Sequence, residues 1–149
     1  AGTVSVGLVR GIKKQSPGVL MAALSVTLPS ASLGQLGEDG SGLALSMIVP
    51  DPHRARLPLV RDYQSALRAQ GHTDFSQGSL EAYVNARVLI EGLERAGKDP
   101  TPARLRAALA GIRNLDLGGY VVDYGSQAPY VGSRYLDLGV LGSNGRFIA

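Results

Sequence analysis

The sequence predicts an α/β fold in which a parallel sheet is flanked by helices, and three observations predict it. Over residues 1–49 the chain alternates helix, strand, helix, strand. Such alternation argues for parallel strands with helices packed on the sheet faces. The two strand candidates, residues 19–24 and 43–49, are almost wholly apolar runs without a charge, of the length of strands buried on both faces. Hydrophobic residues make up 44% and charged residues 18% of 149 residues, enough for one domain with a real core.

Taken in order, residues 3–15 read as a helix with Val4, Leu8, Val9 and Ile12 on one side and Arg10, Lys13, Lys14 and Gln15 facing out. Ser16-Pro17-Gly18 stops it. The first apolar run follows, with Ser25-Val26-Thr27 at its end. Residues 28–36 read as a short helix broken by Gly37, and Glu38-Asp39-Gly40-Ser41-Gly42 as a turn into the second run. Pro50-Asp51-Pro52 forces an extended segment that joins neither ladder nor helix, and reads as a crossing between two lobes.

About sixty helical residues come next. The first helix carries Leu57, Val60, Gln64 and Leu67 on one face, with Arg61, Asp62 and Arg68 outside. In the second, long helix, Ser79 is expected to cap the start, Glu81 to sit in the first turn and Gly97 to end it. One apolar row is Leu80, Tyr83, Val84 and Val88; another is Ala82, Ala86, Leu89, Ile90 and Leu93. A surface that wide is expected to be packed on more than one side. Thr101 caps a third helix with Pro102 at its first position and Leu105, Ala108, Leu109 and Ile112 on its apolar face. Residues 120–124 and 133–141 read as strands. Ser143-Asn144-Gly145 reads as a hairpin turn that lets residues 146–148 pair back.

Several function classes find no support. The formal charge of +3 is small and scattered, so no nucleic-acid partner is expected. There is no cysteine, and no run reaches the length of a membrane span. Ala1-Gly2-Thr3-Val4 does not read as a signal peptide. His53 and His72 are the only histidines and lack metal-ligand spacing, so neither a metal site nor a cofactor is expected. There is no Gly-x-Ser-x-Gly elbow, and Gly37-x-x-Gly40-x-Gly42 precedes a strand, the reverse of a phosphate loop. No catalytic residue is assigned, and the chain is read as a non-enzyme.

Ligand contact is the better reading. Open α/β sheets bind ligands beyond the carboxyl ends of their strands, where Ser25, Val26 and Thr27 stand; the alternative is a cap for the next helix. Gln77, Gly78 and Ser79 open the long helix, whose free N–H groups suit a carboxylate; the alternative is again a plain cap. Tyr83, just beyond, is either a contact or a core residue.

One stretch carries a family resemblance. Ser79-Leu80-Glu81-Ala82-Tyr83-Val84-Asn85-Ala86-Arg87-Val88-Leu89, closed by Ala96-Gly97 and Asp99-Pro100-Thr101, resembles the branched-chain amino acid (Leu/Ile/Val) type of periplasmic binding protein, the soluble receptors of ABC importers. Gly37 to Gly42 with Val49-Pro50-Asp51-Pro52, Gly132-Ser133-Arg134-Tyr135-Leu136-Asp137-Leu138, and Gly142-Ser143-Asn144-Gly145-Arg146-Phe147 are similar to that family in the same order. Only the C-terminal portion of the pattern is covered. The resemblance implies a type I periplasmic-binding-protein-like fold, incomplete here. Residues 1–49 would belong to lobe two, 50–52 to a hinge, 53–116 to a helical return to lobe one, and 117–149 to the strands going back. It implies a periplasmic solute-binding component that takes a small amino acid or related carboxylate in an interlobe cleft and presents it to an ABC permease. The apolar helical faces would be covered by the missing N-terminal half or by a second copy. A ligand-sensing domain of the same fold, an α/β hydrolase-type enzyme, or a fragment without binding function are the alternatives.

Overall fold

The computed structural model describes residues 2–143 and 147–148. In chain order the elements are α1 (Thr3–Gln15), β1 (Ala22–Leu24), a 3-10 turn (Ser25–Thr27), α2 (Ser30–Leu36), a second 3-10 turn (Gly37–Gly40), β2 (Ala44–Met47), α3 (Pro58–Ala69), α4 (Gln77–Ala96), α5 (Pro102–Ala110), β3 (Leu115–Asp116), β4 (Val121–Val122), β5 (Asp137–Leu141) and β6 (Phe147–Ile148). They form two compact units, one of Ala1–Pro50 with Leu136–Ala149 and one of Asp51–Tyr135.

The first unit is α/β, as its alternating pattern predicts. Its sheet runs β1-β2-β5-β6. The β1–β2 pair is parallel because the chain crosses over through α2 between them. β5 joins β2 antiparallel, and β6 folds back on β5, so the sheet is mixed, with its parallel part at the β1 side. Phe147 pairs with Leu141, as the expected return requires, while Asn144, Gly145 and Arg146 of the hairpin turn lie outside the described residues. One sheet face carries Leu45, Met47 and Leu141. The core there is formed by Leu45 and Leu141 together with Val6 and Val9 of α1 and Leu33 and Leu36 of α2. Gly139 sits in the same layer because a Cβ there would stand 2.6 Å from the Phe147 ring and 3.0 Å from Met47 Cε.

Three expectations are corrected in this unit. The inward face of α1 is Val6 and Val9, while Val4 and Leu8, expected beside Val9, are 78% and 63% exposed. The 19–24 run is not buried on both faces: only three residues pair, and Leu20 and Leu24 are 91% and 58% exposed. β1 is an edge strand, and its second face, continued by Leu138, Val140 and Ile148, has no helix over it among the described residues. The helix expected over 28–36 starts only at Ser30, because Leu28 ends the preceding 3-10 turn and Pro29 enters α2 from an extended backbone.

The second unit is built on helices, with the short β3–β4 hairpin beside them. Leu59, Val60 and Tyr63 of α3 and Leu80, Val84 and Val88 of α4 are buried in it, with Ile112, Leu117, Tyr120 and Val122. Gln64 is buried as its place on the apolar face predicts. Gly92 continues the inward row of α4, since α5 packs on it through Leu105 and Leu109. The second apolar row is not covered: Leu89, Ile90 and Leu93 are 45%, 52% and 38% exposed, so α4 is packed on one side only among the described residues. Thr101 caps α5 as expected, its Oγ1 accepting the Arg104 N–H at 3.3 Å. The two late strands are shorter than read. Tyr135 packs its ring beside Tyr120, 5.5 Å between centroids, instead of extending β5.

Candidate functional site

The α4 start is the better-defined of the two candidate regions, and its cap lies three residues earlier than the pattern predicts. Ser76, not Ser79, is the N-cap. Its Oγ accepts the Ser79 N–H at 3.2 Å, while Ser79 Oγ, at the third helical position, accepts the Ser76 N–H at 3.3 Å. These reciprocal bonds make a capping box in which serine replaces the usual glutamate. Glu81 therefore falls beyond the first turn, which holds no acidic residue. The first turn of this 20-residue helix thus carries no carboxylate of its own.

Tyr63 of α3 fixes this start from below. It is 1% exposed; its hydroxyl accepts the Ser76 N–H at 3.1 Å and shares a short hydrogen bond with Ser79 Oγ. Phe75 packs edge-on to Tyr63 at 5.8 Å, and Tyr83 does the same from the other side at 5.8 Å. Ser79 is thus committed to holding the helix. Gly78 is exposed, and a Cβ there would have nothing within 4 Å, so the approach to the first turn is open. Tyr83 is half-buried rather than core. Its hydroxyl accepts from the Arg87 guanidinium at 3.2 Å, which also lies 5.8 Å from the ring centroid. An exposed Gly78 and a first turn without an acidic side chain make a helix end that can hold a carboxylate.

Sequence reasoning missed Ser76, Tyr63 and Phe75. The signal for two of them was present: Phe75-Ser76-x-x-Ser79-Leu80 places apolar residues on either side of the cap, at the positions of a hydrophobic staple.

Ser25, Val26 and Thr27 lie in the other unit, as one 3-10 turn directly after β1. They do not cap α2, whose N-cap is Pro29. Thr27 Oγ1 donates to the Leu24 carbonyl at 2.7 Å, and Val26 is exposed. Pro50, Asp51 and Pro52 are in neither helix nor strand. His53 is exposed and meets the Phe75 ring edge at 6.2 Å; His72 donates its backbone N–H to Leu67, closing α3. Among the described residues, no group of three His, Asp or Glu side chains could hold a metal.

A cavity of about 530 Å³ lies in the 121–135 loop, with Asp123, Tyr124, Gly132, Arg134 and Tyr135 in its wall. Asp123 is spent on the loop itself. Its carboxylate accepts the Gly125 N–H at 2.8 Å and the Asn114 N–H at 3.1 Å. These two bonds, helped by the charges of Arg113 and Arg134, hold its pKa below the ordinary aspartate value. Because the folded-state pKa is lowered, its contribution to stability is complete above the ordinary value and is lost as pH falls through the lowered one. In an NMR titration from about pH 6 to about pH 2, the Gly125 and Asn114 amide resonances are expected to stay fixed until the pH passes below the ordinary aspartate range. In Asp123→Asn that step should disappear. A midpoint at or above the ordinary value would show that the carboxylate does not hold the turn.

No protein-family model and no curated protein matches the chain. Solved structures do. A substrate-binding periplasmic protein from Ralstonia solanacearum is 31% identical at a TM-score of 0.83, covering 96% of this chain and 41% of that one. An extracellular ligand-binding receptor from Verminephrobacter eiseniae is 25% identical at 0.83, covering 97% and 41%. A possible leucine/isoleucine/valine-binding protein from Rhodopirellula baltica, 23% identical at 0.84 over 97% and 40%, shares the fold. The matched structures are named as binding proteins, not enzymes, and the chain spans about 41% of the length of the first of them. No helix among the described residues is long and apolar enough to cross a membrane. The resemblance read from the sequence is therefore confirmed in three dimensions: this chain is part of a type I periplasmic-binding-protein fold, the fold of branched-chain amino acid ABC transporter substrate-binding proteins.

Proposed function

We propose that the chain belongs to the solute-binding component of an ABC importer, working in the periplasm and capturing a small amino acid or related carboxylate for an ABC permease. The observation that carries this reading is the open first turn of α4, an exposed Gly78 on a helix end with no acidic residue, in a fold whose matched relatives are named as substrate-binding and ligand-binding proteins. On this reading the carboxylate rests on the backbone at Gln77 and Gly78, with Tyr83 beside it and with Ser79 holding that turn in place through its bonds to Ser76. Ser25, Val26 and Thr27 supply contacts from the other unit, and Pro50, Asp51 and Pro52 serve as hinge. A ligand held by both units favours the closed form by its differential affinity. The missing N-terminal half of the fold would complete the cleft and cover the apolar rows of α4 and of the open sheet face.

Gly78→Leu tests the reading, because it separates fold from function. The side chain points into open space, and leucine is the better helix former, so stability should rise by about 0.5–1 kcal/mol. Titration with leucine, isoleucine and valine should show affinity falling by about tenfold or more, since the side chain would cover the approach to the helix end. Unchanged affinity in a folded Gly78→Leu protein would remove the α4 start as the ligand site.

A further inference from the structure

The crossing segment after Pro50 is stitched to α3 by two side chains. Gln64 Nε2 donates to the Pro52 carbonyl at 2.8 Å, and Arg61 donates to the Ala55 and Arg56 carbonyls at 3.2 and 2.9 Å. The segment is also closed on itself. Asp51 Oδ1 accepts the His53 N–H at 2.9 Å, its carbonyl accepts the Arg54 N–H at 3.1 Å, and its Oδ2 stands 3.4 Å from Arg54 Nε. Gln64 is 5% exposed, and Pro52 is buried beneath it. A buried amide is kept only where its groups are paired. Both ends of Gln64 are: Oε1 accepts from Arg68 at 3.1 Å. Arg68 lies 5.1 Å over the Phe75 ring, and Phe75 packs on Tyr63, whose hydroxyl holds the α4 cap.

We infer that Gln64 is a positioning residue that makes residues 51–56 and the α4 start one rigid piece. On this crossing the freedom then falls at the Pro50–Asp51 link rather than across all three residues of the Pro-Asp-Pro segment; the chain's other link is Tyr135–Leu136. The contiguous chain of contacts Pro52–Gln64–Arg68–Phe75–Tyr63–Ser76 spans a single compact unit. The tie itself is a property of the ligand-free chain; only its use in closure rests on the binding-protein reading. Where that reading holds, a movement at the Pro50–Asp51 link carries the ligand end of α4 with it and is not absorbed by slack in between.

Hydrogen–deuterium exchange on the ligand-free protein tests the tie whether or not any ligand binds. In the wild type, the His53, Arg54 and Arg56 amides should be protected to a degree comparable with mid-α3. In Gln64→Met, which fills the space but bonds neither partner, those amides should exchange about tenfold faster while the Val84 and Val88 amides of α4 keep their rates. Gln64→Glu keeps the acceptor for Arg68 but sets a carboxylate oxygen where the donor to Pro52 stood, so it should give at least the same local loss and guards against a misfolded first variant. Unprotected 51–56 amides in the wild type, no change in either variant, or a uniform acceleration through α3 and α4 would each overturn the inference.

Discussion

Replacing Gly118 by alanine is expected to destabilise the Asp51–Tyr135 unit by about 3–5 kcal/mol. The residue has φ +100°, where a Cβ is strained, and that Cβ would lie 2.7 Å from the Leu59 backbone nitrogen and 3.0 Å from Pro58 Cβ. Neither neighbour can rotate away, because both belong to the first turn of α3. The same approach makes a bond: the Gly118 carbonyl accepts the Leu59 N–H at 3.1 Å. Asp116 Oδ1 holds the turn in place through the Gly118 and Gly119 N–H groups at 2.9 and 2.6 Å. Gly125→Ala is the control. Its φ is +68°, but its nearest neighbour is the Gln127 carbonyl at 4.0 Å, so it carries the backbone strain alone, about 1–2 kcal/mol. Urea denaturation of both variants should separate them; equal losses would mean that the close approach of hairpin and helix is not needed.

Gly92→Val is expected to cost about 2–4 kcal/mol, against the direction that helix propensity would give. A Cβ at Gly92 would stand 2.5 Å from Leu109 Cδ2, 2.9 Å from Leu109 Cγ and 3.2 Å from Leu105 Cδ1. The absent side chain is what lets α5 lie on α4. Gly78→Ala in the same helix has nothing within 4 Å and should instead stabilise by up to about 1 kcal/mol. Removing the obstacle should rescue the damage: the Gly92→Val, Leu109→Ala double variant should lose less stability than the sum of the two single variants' losses. Strict additivity in calorimetry would place the cost of the valine somewhere other than the α4–α5 contact.

Both glycines show where sequence is mute. In the sequence neither Gly92 nor Gly118 stands out from the chain's other glycines, and nothing local says that another element lies within a methyl's reach. Periodicity was enough to find the helices and the α/β class, since apolar positions repeat at helical spacing, but it misplaced the α1 face, where Val4 and Leu8 are exposed and Val6 and Val9 are buried. It also placed Gln64, a polar residue, on the buried side of α3. It failed where burial depends on what lies over an element. The outer face of the 19–24 run, with Leu20 and Leu24, and the Leu89, Ile90 and Leu93 row are as apolar as buried surfaces, yet both are exposed here. The α4 cap slipped from Ser76 to Ser79 because both serines suit the role, and only the Tyr63 hydroxyl beneath them shows how the pair divides it. The resemblance supplied what periodicity could not, the type I periplasmic-binding-protein fold, because the α4 sequence carries residue identities and not only a pattern.

The most direct test of a solute-binding role is amide chemical-shift mapping of the chain with valine, leucine or isoleucine at up to about 10 mM, a range that detects weak binding by an incomplete site. The proposed site predicts saturable shifts at residues 77–79 and 83 and at 25–27, reproduced by the deaminated carboxylate at residues 77–79. The absence of saturable shifts at both segments, or shifts confined to another surface, would contradict it.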